Sequence, residues 1–295
     1  MAKKAQKSWT RRVSGLKSPQ ALVEYSQQVF PILNSKTAVK KAIAGGRLLK
    51  NGKKARAGDR VENGDHLQLN GFGLSKARSF DADIEIVYED DHFVVVNKPA
   101  GIAVNGNRIK TVENALAGVA RPSSRADALP YPVATHRIDV PTKGLVLLAK
   151  SKSALAKLAT AFQENRIKKA YMAVVHGKTP PKGRIDRALK GKKAITDFET
   201  LEVVPSKVFQ HLSLVRLMPV TGRTHQLRIH MQQENHLILG DKEYAGRQKT
   251  VLGKGLFLCA CRLQFDHPET GKPVDIRIKP PKRFQKIIER EKERY

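Results

Sequence analysis

The segment ATHRIDVPTKGLVLLAKS, residues 134–151, places a carboxylate in a polar turn directly before a strongly apolar run. Asp139 follows Arg137 and precedes Pro141 and Gly144, which is typical of a fixed turn between two strands. In a chain this basic, the carboxylate is favoured in its ionised form, which suits a nucleophile or a base better than a proton donor. A turn aspartate can also simply cap its own backbone, and the local sequence alone favours that interpretation.

Other kinds of catalytic chemistry find less support. The acidic groups in DADIE and YEDDH lie at strand spacing and have no second matching set that would complete a metal site. His225 and His230 are five residues apart and so do not share a helix face, which argues against zinc. The sequence has no GxSxG elbow and no GxGxxG or GxxxxGK[ST] loop. The only cysteines, Cys259 and Cys261, alternate in an apolar segment and are interpreted as small core residues of a strand.

The charge of the chain indicates its kind of partner. Among 295 residues, 55 Lys and Arg against 27 Asp and Glu give a formal net charge of +28. Such a field attracts a polyanion, so the expected partner is nucleic acid or a membrane surface. No segment approaches the roughly 20 apolar residues of a membrane span, the N-terminus lacks the apolar core of a signal peptide, and no basic amphipathic helix is evident. We therefore predict a cytoplasmic protein that binds nucleic acid and no membrane.

The elements that must position Asp139 are mostly strands. Runs at 84–88 and 93–96 come first, and KKAYMAVVHG, AITDFETLEVV, FQHLSLVRLMPV, LFLCACRLQF and VDIRIKP continue the pattern. Helices are predicted in TVENALAGVA, in SKSALAKLATAFQEN with Ser151 or Ser153 as its cap, in THQLRIHMQQEN and in RFQKIIEREKERY, whereas RPSSRADALPYP is predicted to be a loop. Strands outnumber helices and their order is irregular. We therefore expect an α+β fold over residues 83–295, a mixed, mostly antiparallel sheet with flanking helices.

The N-terminal part of the chain has a different pattern. Residues 1–19 carry six basic residues and no acidic one, which predicts a flexible basic arm. Residues 20–72 combine a helix in SKTAVKKAIAGG with short strands around the Asn51-Gly52 turn, which predicts a small α/β module. The Gly-rich residues 73–82 are predicted to be a linker.

This module resembles the S4 RNA-binding domain. The matching pattern comprises Ser35, Lys36, Lys40, Gly46, Asn51, Gly52, Lys53, Gly64 and Asp65. Basic side chains on one face of the helix and its hairpin would contact phosphates. The predicted RNA-binding residues are Ser35, Lys36, Lys40, Lys41, Arg47 and Lys53. A basic face that is merely solvated is the alternative.

The remaining part of the chain resembles a second family. HRIDVPTKGLVLLAKS is similar to the HRLDxxTSGxxxxAK signature of the RluA-type pseudouridine synthases. Five further motifs stand in the family's order: NKPAG at 97–101, FQENRIKKAYMAVVHG at 162–177, TGRTHQLRIHM at 221–231, ILGDKEY at 238–244 and FDHPETGKP at 265–273. Six motifs in one order leave little room for chance agreement.

The resemblance implies isomerisation of uridine to pseudouridine in RNA, with no cofactor and no metal. The N1–C1′ glycosidic bond breaks, the base turns, and C5 bonds to C1′. Asp139 matches the family's aspartate and would act on C1′ as a nucleophile or at the 2′ position as a base. Tyr171 would stack on the uracil with its hydroxyl near the proton that leaves C5. Arg228 would pair with Asp139, and Arg223 is the alternative partner.

The same motifs supply the predicted substrate contacts. Arg137 would displace the target base from its stack, and His136 would orient the turn. The full predicted substrate-binding set is Lys98, His136, Arg137, Thr142, Arg223, His225 and Gln226. Val140 and Lys143 depart from the family, which commonly has Arg and Ser there, and NKPAG lacks the usual His-Pro pair after it. These departures leave the RNA contacts open.

The expected substrate is large-subunit ribosomal RNA, because S4-bearing relatives mostly act on it, and tRNA is the alternative. A non-catalytic RNA-binding or ribosome-assembly protein of the same fold is a second alternative, which the presence of Asp139 and Tyr171 disfavours. A metal-dependent nuclease is disfavoured by the missing carboxylate cluster. We predict a monomer.

Overall fold

The computed structural model describes residues 8–30, 32–33, 35–70, 80–246 and 253–295. Contacts divide the chain into two compact units, Met1–Ala77 and Arg78–Tyr295. Most of the predicted linker, 73–82, and the first seven residues of the predicted arm lie outside the described residues. The predicted domain boundaries therefore stay predictions.

The first unit consists of short strands around two helices. Its elements are β1 (Trp9–Arg12), β2 (Gln20–Ala21), α1 (Leu22–Val29), α2 (Lys36–Ala44), β3 (Leu48–Lys50), β4 (Lys53–Lys54), β5 (Arg60–Val61) and β6 (His66–Leu69). One sheet has the order β1-β6-β3-β4, and β2 pairs with β5. Val39 and Ala42 of α2 pack with Leu48, Leu67 and Leu69 of the sheet in a buried core.

The prediction of a flexible arm over residues 1–19 is wrong for residues 9–12. They form β1, which pairs antiparallel with β6, Trp9 opposite Leu69. Val13 is buried in the core of this unit, and Trp9 and Leu16 pack against it. Burying these apolar side chains stabilises the segment, although its charge pattern resembles that of an unfolded tail.

The predicted helix and turn of this module both form. Ser35 caps α2, because its Oγ accepts a hydrogen bond of 3.1 Å from the backbone N–H of Ala38. Asn51 and Gly52 have φ of 51° and 76°, as a tight hairpin turn requires. The Asn51 side chain donates a hydrogen bond of 2.7 Å to Asp65, so these motif residues stabilise one another.

The second unit is built around one large sheet. Its strands are β7 (Glu85–Glu89), β8 (Phe93–Lys98), β9 (Ala128–Ala134), β10 (Lys143–Ser151), β11 (Lys168–His176), β12 (Lys182–Asp186), β13 (Ile195–Ser206), β14 (Gln210–Pro219), β15 (Leu258–Asp266) and β16 (Pro273–Arg277). Its helices are α3 (Val112–Leu116), α4 (Lys152–Gln163), α5 (Gln226–Gln233) and α6 (Lys282–Glu293). The strand order is β12-β13-β14-β11-β15-β10-β8-β7, with β16 beside β15 and β9 beside β10.

This sheet confirms the predicted mixed, mostly antiparallel architecture. Among the described strands, only β10 and β15 pair in parallel. Ser151 is the cap of α4 and accepts a hydrogen bond of 3.2 Å from the N–H of Ala154. The segment RPSSRADALPYP was predicted to be a loop, but its end is part of β9. Prolines are tolerated there because β9 pairs on one side only, with β10.

The parallel contact between β10 and β15 lies directly after the turn that carries Asp139. Lys143 pairs with Cys259 and Gly144 with Ala260. Gly144 has φ of +121°, and a Cβ on it would lie 2.2 Å from the carbonyl oxygen of Ala260. Only glycine fits this close approach, so the glycine of the motif is what lets the two central strands meet.

Helices cover both faces of the sheet. Leu227 and Met231 of α5 pack against β13 and β14 on the face that carries Tyr171. Phe284, Ile287 and Ile288 of α6 pack on the opposite face, together with Cys259 and Cys261, which are free and buried. None of the helices within the described ranges has the length and apolar content to cross a membrane.

Candidate active site

The turn that carries Asp139 is fixed by backbone hydrogen bonds. The N–H of Thr142 donates to the carbonyl of Asp139 at 3.0 Å, and the N–H of Gly101 donates to the carbonyl of Val140 at 2.8 Å. Ile138 is buried among the apolar residues beneath the turn. The Asp139 side chain keeps 17% of its surface exposed, so its carboxylate is presented to a cavity and not to its own backbone.

Lys98 is a structural residue of this turn, and its predicted substrate contact is wrong. Its side chain is fully buried, and Nζ donates to the carbonyls of Pro99 (2.8 Å), Ile102 (2.9 Å) and Val140 (3.1 Å). These three bonds use all the donors of an ammonium group. Burial lowers the pKa of Lys98 to about 8, although the charge of Asp139 acts in the opposite direction. Lys98 therefore ties the NKPAG segment to the turn that carries Asp139.

His136 also supports the turn. Its Nε2 accepts a hydrogen bond of 3.0 Å from the backbone N–H of Leu147, and its ring stacks on Phe162 at a centroid distance of 4.5 Å. Burial and the neighbouring charge of Lys169 lower the pKa of His136 to about 3. The imidazole is therefore neutral at physiological pH, as its acceptor role requires. This matches the orienting role expected for it, although its ring also lines the cavity.

Arg228 lies at the centre of a carboxylate cluster. Its Nη1 is 3.6 Å from Asp139 Oδ2, while Nε and Nη2 donate to the two oxygens of Asp241 at 2.7 and 2.8 Å. Nη2 also donates to Glu243 at 2.9 Å. Burial opposes the charge of Arg228, but the hydrogen bonds and negative charges of Asp241, Glu243 and Asp139 together outweigh burial and raise the pKa of the guanidinium above its usual value. The predicted proximity of Arg228 to Asp139 is thus observed, and Arg223 instead donates to the carbonyl of Lys193.

The start of α5 brings a second group to Asp139. His225 precedes the helix with a left-handed φ of 54°, which is unusual for a non-glycine residue. Its Nε2 lies 3.7 Å from Asp139 Oδ1, and its Nδ1 lies 2.8 Å from the hydroxyl of Tyr244. His225 and Arg228 therefore flank the two oxygens of one carboxylate. Such a strained backbone is typical of a functional position.

Tyr171 lies on β11 and lines the same cavity as Asp139. Burial raises the pKa of the Tyr171 phenol above its usual range, and the charge of Asp139 raises it further. The hydroxyl is therefore protonated when no substrate is bound. Its ring is half-buried against the core on this face of the sheet.

Gln226 lines the cavity, but its side-chain amide is used within the protein, so its predicted substrate contact is not supported. Its Oε1 accepts hydrogen bonds from Thr221 Oγ1 (2.7 Å) and from the N–H of Arg223 (3.0 Å). Its Nε2 donates to the carbonyl of Ile195 (2.8 Å) and to Thr196 Oγ1 (3.0 Å). A buried amide with four partners has no donor or acceptor left for RNA.

The other predicted substrate contacts line the cavity. Arg137 and Arg223 are exposed at its edge, whereas Thr142 is buried. The hydroxyl of Thr142 has no hydrogen-bond partner among the described residues. The cavity has a volume of about 410 Å³, which is within the range of small-molecule sites. Within the described part of the chain, no three His, Cys, Asp or Glu side chains are grouped to hold a metal ion.

Sequence reasoning missed the residues that hold Arg228. Asp241, Glu243 and Tyr244 belong to the segment ILGDKEY, which was noted only as a family motif. The Asp241 side chain is completely buried, and its Oδ1 also accepts from the backbone N–H of Glu243 at 3.0 Å. An acidic residue one glycine after the apolar run Leu237, Ile238 and Leu239 was a signal of a buried ion pair.

The predicted RNA-binding residues of the first unit are mostly exposed. Lys36, Lys40, Lys41 and Lys53 are exposed, and Arg47 is half-buried. Lys36 forms an ion pair of 2.6 Å with Glu24. The Ser35 hydroxyl is used as the cap of α2, so its predicted RNA contact is not supported. The resemblance of this unit to an S4 domain stays a prediction.

Comparisons with known proteins identify the family of this chain. The family model for RNA pseudouridylate synthase matches residues 92–233. The dual-specificity RNA pseudouridine synthase RluA of Haemophilus influenzae is 36% identical over 214 residues, which cover 66% of this chain and 93% of that protein. The ribosomal large subunit pseudouridine synthase C of Rickettsia bellii is 31% identical over 300 residues, which cover 90% of this chain and 96% of that protein.

A solved structure shows the same fold. The human RNA pseudouridylate synthase domain containing 1 aligns with a TM-score of 0.56 at 26% identity, over 68% of this chain and 84% of that one. The chain belongs to the RluA-type family of RNA pseudouridine synthases. It is therefore an isomerase that converts uridine to pseudouridine, and its partner is RNA.

Proposed function

We propose that Asp139 is the essential catalytic carboxylate of this synthase. The observation that carries the proposal is the convergence of Asp139, Tyr171 and Arg228 on one cavity from three distant segments of the chain. Arg228 and His225 lie 3.6 and 3.7 Å from the two oxygens of Asp139, and the carboxylate remains exposed to the cavity. This arrangement holds an anion at a site that a substrate can reach.

Asp139 can begin the reaction in either of two ways. Attack on C1′ forms a bond from the carboxylate to the ribose as the N1–C1′ bond breaks, whereas removal of the 2′ proton makes Asp139 a base. In both cases the carboxylate must be ionised and fixed. Arg228 stabilises its charge and the backbone hydrogen bonds of the turn fix its position, so the geometry serves both routes.

Tyr171 is proposed to hold the uracil while it turns. Its half-buried ring offers an aromatic face within the cavity, on which a base can stack. Because its pKa is raised, the hydroxyl is neutral and can take the C5 proton only if it passes its own proton on. Arg137, exposed at the edge of the cavity, is proposed to fill the gap that the displaced base leaves.

The proposed substrate is a uridine of large-subunit ribosomal RNA. Several relatives are named as ribosomal large subunit synthases, among them those of Rickettsia bellii and Vibrio vulnificus. The formal charge of +28 favours a long phosphate backbone. tRNA is the alternative substrate. The monomeric state and the cytoplasmic location stay predictions.

The proposed role of Asp139 is tested by tritium release from RNA that contains C5-labelled uridine. The wild-type protein is expected to release tritium, and Asp139→Asn is expected to lower release by about 10⁴-fold while RNA binding is retained. Asp186→Asn, an exposed change at the end of β12, is the matched control and should release tritium like wild type. Normal release by Asp139→Asn would refute the catalytic role.

The proposed substrate is tested by mapping pseudouridines in total RNA from cells that lack the gene. We expect one or more large-subunit ribosomal sites to disappear and to return with the wild-type gene but not with Asp139→Asn. Loss of a tRNA site alone, with every ribosomal site kept, would show that the substrate proposal is wrong while leaving the activity intact.

A further inference from the structure

Lys169 is a cation of the catalytic cavity that has no assigned role. It lies on β11 two residues before Tyr171, and both side chains line the cavity that holds Asp139. Its Nζ lies 5.9 Å from the centre of the Phe162 ring. A Cβ on Gly222 would be 3.9 Å from Nζ, so the ammonium group stands beside bare backbone at the edge of the TGRTHQ segment.

Lys169 differs from the other buried lysines of the sheet. Lys98 donates to three carbonyls, and Lys150 forms an ion pair of 2.9 Å with Glu89. Within the described residues, Lys169 Nζ makes no hydrogen bond and no ion pair, although the side chain is half-buried. Burial lowers the pKa of Lys169. A cation that is partly removed from water without an anion is unfavourable unless a ligand supplies the anion.

Asp139 is not that anion. Its oxygens are flanked by Arg228 and His225, at 3.6 and 3.7 Å. No ion pair joins it to Lys169 in the part of the chain that the structure describes. The charge of Lys169 is therefore available to a substrate.

A second cavity adjoins the first at Lys169. This groove of about 820 Å³ lies against β11, β14 and β15 on the face of the sheet that packs against α6, where Met172 and Ile278 belong to the apolar cluster. Apolar and basic side chains line it, among them Met172, Met218, Ile278, Arg216 and Arg262, together with the acidic side chain of Asp197. The two cavities share four lining residues: Asn165, Lys169, Tyr171 and Pro219. Lys169 is the only cation of that shared wall, among the described residues.

We propose that Lys169 binds the phosphodiester that joins the target uridine to a neighbouring nucleotide whose base lies in the groove. An RNA strand with one nucleoside in each cavity would cross from one face of the sheet to the other at the shared wall, so its linking phosphate would lie beside Lys169. The groove suits an unpaired base, because guanidinium planes and methionines offer stacking surfaces. This inference rests on the proposed function, since it requires the target uridine beside Asp139.

The test uses the full chain and an RNA stem–loop that carries the mapped target uridine, made with or without one neutral methylphosphonate linkage on either side of that uridine. Lys169→Met is expected to raise KM about 10- to 100-fold with kcat within about threefold, since a hydrogen bond to a charged group is lost. The slope of log KM against log salt should fall by about 0.7. Lys169→Arg should restore most of the affinity.

The decisive observation is coupling between protein and RNA. One of the two neutral linkages should raise KM for the wild type about as much as Lys169→Met does. The same linkage should leave the KM of the Lys169→Met variant unchanged. Lys182→Met, which removes an exposed charge on β12, should behave like wild type with both RNAs. Additive losses, or a fall in kcat without a change in KM, would overturn the phosphate contact. A wild type without tritium release would instead refute the proposed function.

Discussion

The cavity that holds Asp139 contains two cations, Arg228 and Lys169, that differ in their partners. On one side, Arg228 is held by Asp241 and Glu243 and reaches Asp139 with its remaining nitrogen. On the other side, Lys169 has no anion within the described residues. The first side is complete before RNA arrives, and the second gains its partner only with the substrate. The difference separates the residues that hold the Asp139 carboxylate from the residue that we propose to bind the RNA.

On the side of the cavity that holds Arg228, a buried ion pair fixes the position of the guanidinium. The Arg228 side chain is 4% exposed and that of Asp241 is fully buried, with two parallel hydrogen bonds between them. Such a pair contributes little net stability, because both charges lose their hydration. Its value is geometric: two nitrogens of a planar group are fixed, so the third is aimed at Asp139. Asp241 is therefore a positioning residue that acts through Arg228.

Asp241→Asn is expected to have the largest effect, because it removes the buried anion that holds Arg228. Loss of the buried charge leaves Arg228 free to turn toward Glu243, and a misplacement of about 1 Å costs roughly 10²-fold in rate. We expect kcat to fall by about that factor, with KM for the RNA changed less than threefold. Single-turnover tritium release with saturating enzyme measures this change, and thermal unfolding shows whether the variant is folded.

Glu243→Gln is the matched control for that prediction. Glu243 contacts the same nitrogen of Arg228 at 2.9 Å, but its side chain is 54% exposed. Exposed pairs contribute about 0–1 kcal/mol, so a change in rate of less than about fivefold is expected. If Glu243→Gln slowed the reaction as much as Asp241→Asn, the buried carboxylate would not be what aims the guanidinium.

The motifs in the sequence placed Asp139, Tyr171 and Arg228 in one site, but they did not identify the acidic residues that hold Arg228. Asp139, Tyr171 and Arg228 lie on different elements, and only their family motifs placed them together. The mixed sheet followed from strand patterns, and the caps at Ser35 and Ser151 followed from local chemistry. The caps and strands depend on short segments, and the grouping of the three site residues depends on an ordered set of motifs. Both can be recognised in a single sequence.

The functions of the polar motif residues were harder to predict. Lys98 and Gln226 were predicted to contact substrate, but both are buried and fully hydrogen-bonded to the protein. The type of a polar motif residue does not show whether its side chain binds RNA or hydrogen-bonds to the protein backbone. Lys169 shows the converse, because its lack of an anion depends on residues far away in the sequence. Burial and partner geometry decide such cases, and neither can be read from spacing.

Glu113 is a further ionisable group without an ion pair among the described residues, but unlike Lys169 it does not line a cavity. Glu113 lies on α3, and its Oε1 accepts a hydrogen bond of 2.9 Å from the N–H of Ala134 at the end of β9. Burial raises the pKa of Glu113 to about 7, which the bond from Ala134 only partly opposes. An unpaired charge that faces no cavity should affect stability and leave RNA binding unchanged.

Glu113→Gln tests this expectation through pH. The pKa of Glu113 rises from 4.5 in the unfolded chain to about 7 in the folded one. Between these pH values the Glu113 carboxyl is ionised in the unfolded chain but still protonated in the folded one. The free energy of unfolding of the wild type therefore falls as pH rises through this range and becomes constant above it. The variant should become more stable than wild type by about 1–3 kcal/mol at pH 8 and equal to it below pH about 4.5, in urea unfolding. Glu293→Gln, exposed at the end of α6, should show no such divergence, and parallel pH profiles for Glu113→Gln and wild type would contradict the prediction.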